Sequence, residues 1–441
     1  MSPRRRISAG AMRRARRPVI VPNVVIPPGW PPPIPTITPP PQDAQGWTII
    51  PALPAGDKEV HVAAAGDDAT GDGSIGNPYA SIQRGYDDLT PGSSDRLLIN
   101  RGDTFVRWDN GGGRSKAEPM ILMAYGAGAR PIIQYGPVSI GCIVTASTQP
   151  ISDVWIMDLQ MIRDDDVDRE SSAIEFQGSV ERVLIENCYT QNGGSVVLNN
   201  TAGQRGNDLW WRRCVMFQGY AETSLHQNLF IALTDKILIE DCIFDNGGWD
   251  VGGIIKPANS KDHNVYLAAS NGPAIATGNM FHRGAGMGIH FRSGGRCNGN
   301  YFRDNYDTFH FGYRQDGPAD VVTGEAIGNV CDGGKDNYGS KPTAMNAVNI
   351  KGVEIAFNIW CNQDPLEPLA AGPGLFGGAG DGFDVDCVVH NNIVYKWEAY
   401  TELRVNVDVY TDCVFRDNDV QGYDAAEYPV HQRDAVPYAG V

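Results

Sequence analysis

The chain is built on a repeated phrase, and this repetition limits its fold more than any other property. Apolar and polar residues alternate over a short run, a carboxylate or amide follows, then an apolar or aromatic residue, then a Gly- or Asn-rich break. That is a strand with a turn behind it. The copy Ile237-Leu-Ile-Glu-Asp-Cys-Ile-Phe-Asp-Asn-Gly-Gly-Trp249 is the sharpest, and Val183-Leu-Ile-Glu-Asn-Cys-Tyr189, Ala276-Thr-Gly-Asn-Met-Phe281 and Ile355-Ala-Phe-Asn-Ile-Trp360 repeat it. Alignment on the Asn-like position puts Asp158, Asn187, Arg213, Asp241, Asn279, Asn300, Asn329, Asn358, Asn392 and Asn418 in one column, at intervals of 21 to 38 residues. Such a period predicts a solenoid, in which each repeat buries its apolar side against its neighbours.

A repeat array of this extent makes most of the 441 residues one solenoid rather than two or three domains. The 52 Gly suit a fold of short strands and tight turns. No apolar run approaches the roughly 20 residues of a membrane span. The nine Cys are odd in number, lack CxxC spacing, and mostly share positions with Met, Tyr, Val or Ile of other copies, so they read as small buried apolar residues.

Charge divides the chain. The first 17 residues hold seven Arg and no acid, so the formal charge of -16 leaves -23 on the remainder. Residues 18–42 contain eleven Pro and predict an extended polyproline-like segment. Residues 1–45 thus form a basic, proline-rich arm, either a disordered leader or an anchor, ahead of a body over 46–430 and a tail over 431–441. The acidic body should repel nucleic acid.

From Lys58 the sequence reads as strand Glu59 to Ala63, a Gly/Asp-rich loop, a helix within residues 78 to 89 with Ile82, Tyr86 and Leu89 on one face, and strand Arg96 to Asn100. Asn77-Pro-Tyr-Ala-Ser-Ile82, the Pro91-Gly92 turn and Ala124-Tyr-Gly-Ala-Gly-Ala-Arg-Pro131 resemble the opening of right-handed parallel β-helix proteins of the pectate-lyase-like superfamily, which include phage tailspikes and polysaccharide lyases. The resemblance implies an all-β, single-stranded solenoid of about ten coils with a small N-terminal capping helix. In such a coil like stacks on like, so the Asn column reads as a structural ladder rather than a catalytic set.

A second strand precedes each anchor. If Ile174 and Phe176, Val265 and Leu267, Ile289 and Phe291, Phe309 and Phe311, and Val348 and Ile350 face the core, alternation sends Glu175, Gln177, Tyr266, His290, Arg292, His310, Asn349 and Lys351 to one outer face. That face is a candidate sugar groove. Arg292 or Lys351 would hold a uronate carboxylate, and His290, His310 or Tyr266 would move a proton. The plain alternative is a solvated sheet surface that happens to be polar. His263, just ahead of Tyr266, and the loop presenting Trp249 between Asp245 and Asp250 add candidate binding residues; a hydrolase would use two such carboxylates as acid and base or nucleophile.

The motifs of polygalacturonase-type hydrolases on this fold, Asn-Thr-Asp, Gly-His-Gly and Arg-Ile-Lys, do not occur. No cofactor or metal site is expected; Asp164 to Asp168 offers carboxylates to Ca2+ but reads as a solvated loop. Gly372 to Gly377 matches GxGxxG without a following helix and is a loop.

Two functional expectations follow. One is a virion-associated tailspike-like protein whose arm, residues 1–45, attaches to a baseplate, tail or capsid and whose shaft binds and depolymerises bacterial surface polysaccharide. The other is a secreted bacterial polysaccharide lyase, with a non-enzymatic carbohydrate-binding fibre as the plainer form of both. Tailspikes of this architecture commonly act as homotrimers, although no distinct trimerisation segment is legible after Val420.

Overall fold

The computed structural model describes residues 36–106, 119–135, 143–145, 151–163, 172–197, 205–219, 226–248, 261–312, 322–334, 343–361, 384–385, 387–395, 410–411, 414–416, 418–421 and 431–433. Over these residues the chain winds as a parallel β-helix of three sheets with 15, 13 and 8 strands, here the long, middle and short sheets. Nearly every pairing joins one coil to the next in parallel register; the pairing of Asp419–Gln421 with His431–Arg433 is antiparallel. Three coils, opened by Glu59–Val62, Arg96–Asn100 and Met120–Tyr125, precede the first repeat recognised in the sequence.

The capping helix is Ile82–Asp87. Ser81 caps it by accepting a hydrogen bond from the Arg84 backbone N–H, and Ile82, Tyr86 and Leu89 are buried as the spacing predicts. Gly85 permits the close approach, because a Cβ there would come within 2.4 Å of Val62 and 2.9 Å of Leu97.

Between the long and middle sheets each coil turns through one residue of positive φ: 53° at Asn187, 49° at Arg213, 53° at Asp241, 67° at Gly278, 65° at Gly299 and 54° at Asn391. The next residue points inward, and there the Asn ladder stands. Asn329 Oδ1 accepts from the backbone N–H of Asn300 at 3.0 Å and from its side-chain amide at 3.1 Å, while Asn329 Nδ2 donates to the Cys297 carbonyl at 2.7 Å. The pattern runs from Asn279 through Asn300, Asn329, Asn358 and Asn392 to Asn418. It satisfies backbone groups that no water reaches.

The column read from the sequence mixes two positions. Asp158, Asn187, Arg213 and Asp241 occupy the positive-φ corner, and the inward place in those coils belongs to Leu159, Cys188, Cys214 and Cys242. Asn and Asp suit both a left-handed corner and an inward ladder, which is why the alignment slipped by one residue. The two halves of the true column meet where the Cys242 N–H donates to Asn279 Oδ1 at 2.9 Å. The thiols of Cys188, Cys214 and Cys331 are pushed far up by burial, as expected for packing residues, and no disulfide joins the described cysteines.

A second, shorter ladder lies at the corner leading into the short sheet. Asn228 Nδ2 donates to Asn264 Oδ1 at 2.9 Å, and Asn264 Nδ2 to Asn305 Oδ1 at 3.3 Å. It sets the register of the strands that carry the candidate site.

Candidate functional site

The short sheet aligns one outward lane. Glu175, Val196, Phe230, Tyr266, His290 and His310 are register partners on successive strands. Their neighbours Ile174, Phe176, Leu229, Ile231, Val265, Leu267, Ile289, Phe291, Phe309 and Phe311 fill the core, so β alternation works here as the sequence predicts.

Rings dominate the centre of the lane. Phe230 stacks on Tyr266 with centroids 5.3 Å apart, and His263, from the preceding corner, lies nearly parallel to Tyr266 at 5.5 Å and 4°. His290 meets Tyr266 edge-on at 4.9 Å and His263 edge-on at 5.4 Å, then stacks on His310 at 4.4 Å. The Arg292 guanidinium is 5.4 Å from the Tyr266 ring centre. Phe230, Tyr266, Arg292 and Glu175 are half-buried, whereas His263, His290 and His310 expose only 5%, 7% and 8%.

This shielding corrects the open groove expected from the sequence. The imidazoles are covered because aromatic neighbours on adjacent coils pack ring against ring. Nδ1 of His263 and both ring nitrogens of His290 and His310 find no hydrogen-bond partner among the described residues. Burial first, and then the His310 and Arg292 charges, lowers His263 to about 3; burial and Arg292 lower His310 to about 4. His290 is held well below the usual histidine range by the same burial and by the other two imidazoles. All three are therefore neutral at physiological pH, weak bases whose lone pairs can accept a hydrogen bond from a hydroxyl.

Two carboxyls, Glu175 further along the lane and Asp262 at the cluster, are shifted the other way. Burial raises Glu175, against a side-chain hydrogen bond from Gln177. Asp262, fully buried next to His263, is raised to about 7 by that burial; its Oδ1 accepts from the His226 backbone N–H at 2.9 Å, and its Oδ2 has no partner among the described residues. Asp262 and Phe230 are the residues that sequence reading passed over. Phe230 had a signal, since it alternates with the buried Leu229 and Ile231, but the burial of Asp262 has none in the sequence.

Other candidates fall elsewhere. Lys351 belongs to strand Ile350–Ala356 of the long sheet and pairs with Val385. The short-sheet strand of that coil is Thr343–Val348, and Asn349, at φ 54°, turns the corner, so Val348 to Lys351 straddles two sheets. Asp245 is on the middle sheet, where Arg283 holds it through two hydrogen bonds at 2.8 and 2.6 Å and His282 lies 3.5 Å away. Those partners lower its carboxyl, which suits a fixed anion and not a catalytic acid. Trp249 and Asp250 lie outside the described residues, as do residues 164–168 and 372–377. The turn before Trp249 does approach the site: Gly248 packs so closely on Asp262 that a Cβ there would be 2.7 Å from the Asp262 Cβ. No group of His, Cys, Asp or Glu among the described residues is arranged to hold a metal ion.

Comparison with solved structures finds a likeness of fold alone. XylC in complex with xylose superposes with a TM-score of 0.54 at 10% identity, covering 82% of this chain and 83% of that one. A GH136 lacto-N-biosidase from Eubacterium ramulus gives 0.47 at 12% identity over 82% and 68%, and ORF18 of Geobacillus virus E2 gives 0.38 at 11% over 84% and 63%. At such identities the likeness is one of fold. No family model matches the sequence, and no curated protein matches it.

Proposed function

We propose that the lane from Phe230 to His310 binds a bacterial surface polysaccharide and depolymerises it. The observation that carries this reading is the in-register stack of Tyr266, His290 and His310 beside Arg292. Register partners repeat every ~4.8 Å, a spacing suited to tracking an extended chain along the sheet. The half-buried rings of Phe230 and Tyr266 leave apolar surface for sugar rings, and Arg292 offers a planar cation to a uronate carboxylate.

For a uronate glycan the chemistry is β-elimination. A neutral imidazole of His290 or His310 takes the proton from the carbon bearing the carboxylate. The freed electron pair forms a ring double bond, the bond from the next carbon to the glycosidic oxygen breaks, and that oxygen takes the proton back from the imidazolium just formed. The products are an unsaturated uronate and a new reducing end. Arg292 stabilises the negative charge that builds on the carboxylate during the step.

The finer reading is a tailspike-like shaft carried on a virion through residues 1–45, with a homotrimer as its working form; its alternative is a secreted lyase. The basic, proline-rich composition of the arm supports attachment to a larger particle. Incubation with a panel of bacterial and uronate-containing glycans tests the activity. New reducing ends with absorbance from an unsaturated uronate fit elimination, and reducing ends without it fit hydrolysis. Retention on a glycan without products leaves a binding shaft.

A further inference from the structure

Residues 36–50 do not extend away from the solenoid. They fold into a small hairpin on the outer face of the long sheet, spanning the position where the arm was expected to give way to the body. Asp43 Oδ1 accepts from the backbone N–H groups of Gln45 and Trp47, both at 2.9 Å, and Gly46 turns the chain at φ 88°. Gln42 bridges Thr48, and the Ile49 N–H donates to the Pro41 carbonyl at 2.8 Å. The hairpin thus satisfies its own turn.

Its seat is specific. Trp155, Leu184, Trp210 and Leu238 stand side by side across four neighbouring strands of the long sheet, with their side chains outward. Ile37 and Ile50 pack on this row. Around it, Arg212 donates to the Pro40 carbonyl at 3.3 Å and to Thr48 Oγ1 at 3.0 Å, Gln42 donates to Glu240 at 3.0 Å, and the Thr48 N–H donates to Glu186 at 3.4 Å. The Arg213 guanidinium lies 4.8 Å from the Trp47 ring.

Arg212 and Glu186 are almost wholly buried, paired with Glu240 and Arg213 respectively. A sheet face meant for solvent does not line up two tryptophans in one row and two ion-paired charges in the next. Such charges are tolerated when their remaining hydrogen bonds are met, and here the hairpin meets several of them.

We propose that this face is a built docking groove and that residues 36–50 are its ligand, a separable recognition element that ties the N-terminal arm to the flank of the shaft by non-covalent contacts. The groove reads a hairpin with apolar residues at both ends and a polar crossing between them. The proposal stands whether or not the short sheet cleaves sugar.

The test uses the full chain with a protease site introduced at Gly56, an exposed turn position with open space around it. After cleavage, the N-terminal fragment is expected to co-elute with the shaft in gel filtration at micromolar concentration. The same cleavage in an Ile37→Asp/Ile50→Asp variant is expected to release at least about tenfold more fragment, by losing the two apolar anchors. Separation of the nicked wild-type protein would overturn the proposal, as would equal retention in the variant.

Discussion

His290 and His310 face each other on adjacent strands with ring centroids 4.4 Å apart and planes inclined by 29°, and none of their four ring nitrogens has a hydrogen-bond partner among the described residues. A polar pair left unsatisfied in a protein interior is costly, and such cost recurs where structure is kept for chemistry. Replacing either ring by Phe removes no hydrogen bond to the described residues and keeps the stack. His290→Phe and His310→Phe are each expected to leave the melting temperature equal or higher while lowering turnover at least about a hundredfold, the usual loss on removing a general base. Thermal melts and initial rates on the same preparations check both halves.

The candidates displaced from the lane give the opposite expectation. Asp245, clamped by Arg283, and Lys351, on another sheet, touch none of the ring cluster. Asp245→Asn should lower stability by about 1 kcal/mol through loss of its charge-assisted bonds, with kcat unchanged. Lys351→Ala should alter neither. Rate measurements at saturating glycan decide; a large loss of turnover in either variant would move the site.

Asp262 makes stability depend on pH in a direction unusual for a carboxyl. Folded, it keeps its proton up to about 7, whereas the ordinary value is 3.8, so the native state loses stability as pH rises from 3.8 through about 7. Asp262→Asn keeps an acceptor for the His226 N–H and cannot ionise. The variant should melt above the wild-type protein near about pH 8, and the difference should shrink toward zero as pH falls through that window. The histidines act with the opposite sign. His310 and His263 contribute stability present above the ordinary value of 6.5 and lost as pH falls through about 4 and about 3, so His310→Phe should flatten the acid limb of the same curves.

The inner ladder carries a stability prediction of its own. Asn329→Ala removes the acceptor of the Asn300 N–H and one hydrogen bond each from the Asn300 side-chain amide, the Cys297 carbonyl and the Asn358 carboxamide oxygen, and should cost about 3 kcal/mol or more. Cys242→Ala, one column position away from the Asn run, removes mainly packing and should cost less, about 1–2 kcal/mol. Urea unfolding of the two variants side by side tests the ranking.

Much of this was legible in the sequence. Ile82, Tyr86 and Leu89 announced the cap by helical spacing, and the alternation around Tyr266, His290 and His310 set their shared face. What escaped depended on corners. Asn187 and Asn279 look alike in sequence but lie at successive positions of the turn, and Val348 to Lys351 reads as one strand although Asn349 breaks it between two sheets. The low proton affinity of the histidines and the raised proton affinity of Asp262 arise from burial by residues of other coils, which alternation alone does not reveal. Nor does proline content show that residues 36–50 come back to cover Trp155 and Trp210.

The central claim is that the ring lane of the short sheet cleaves an acidic glycan. It is tested most directly by product analysis of a uronate-containing polysaccharide incubated with the wild-type protein and with the His290→Phe/His310→Phe double variant. The account predicts reducing ends and unsaturated-uronate absorbance with the wild-type protein, and retained glycan binding without either product in the double variant. Equal product formation by the two proteins would contradict it.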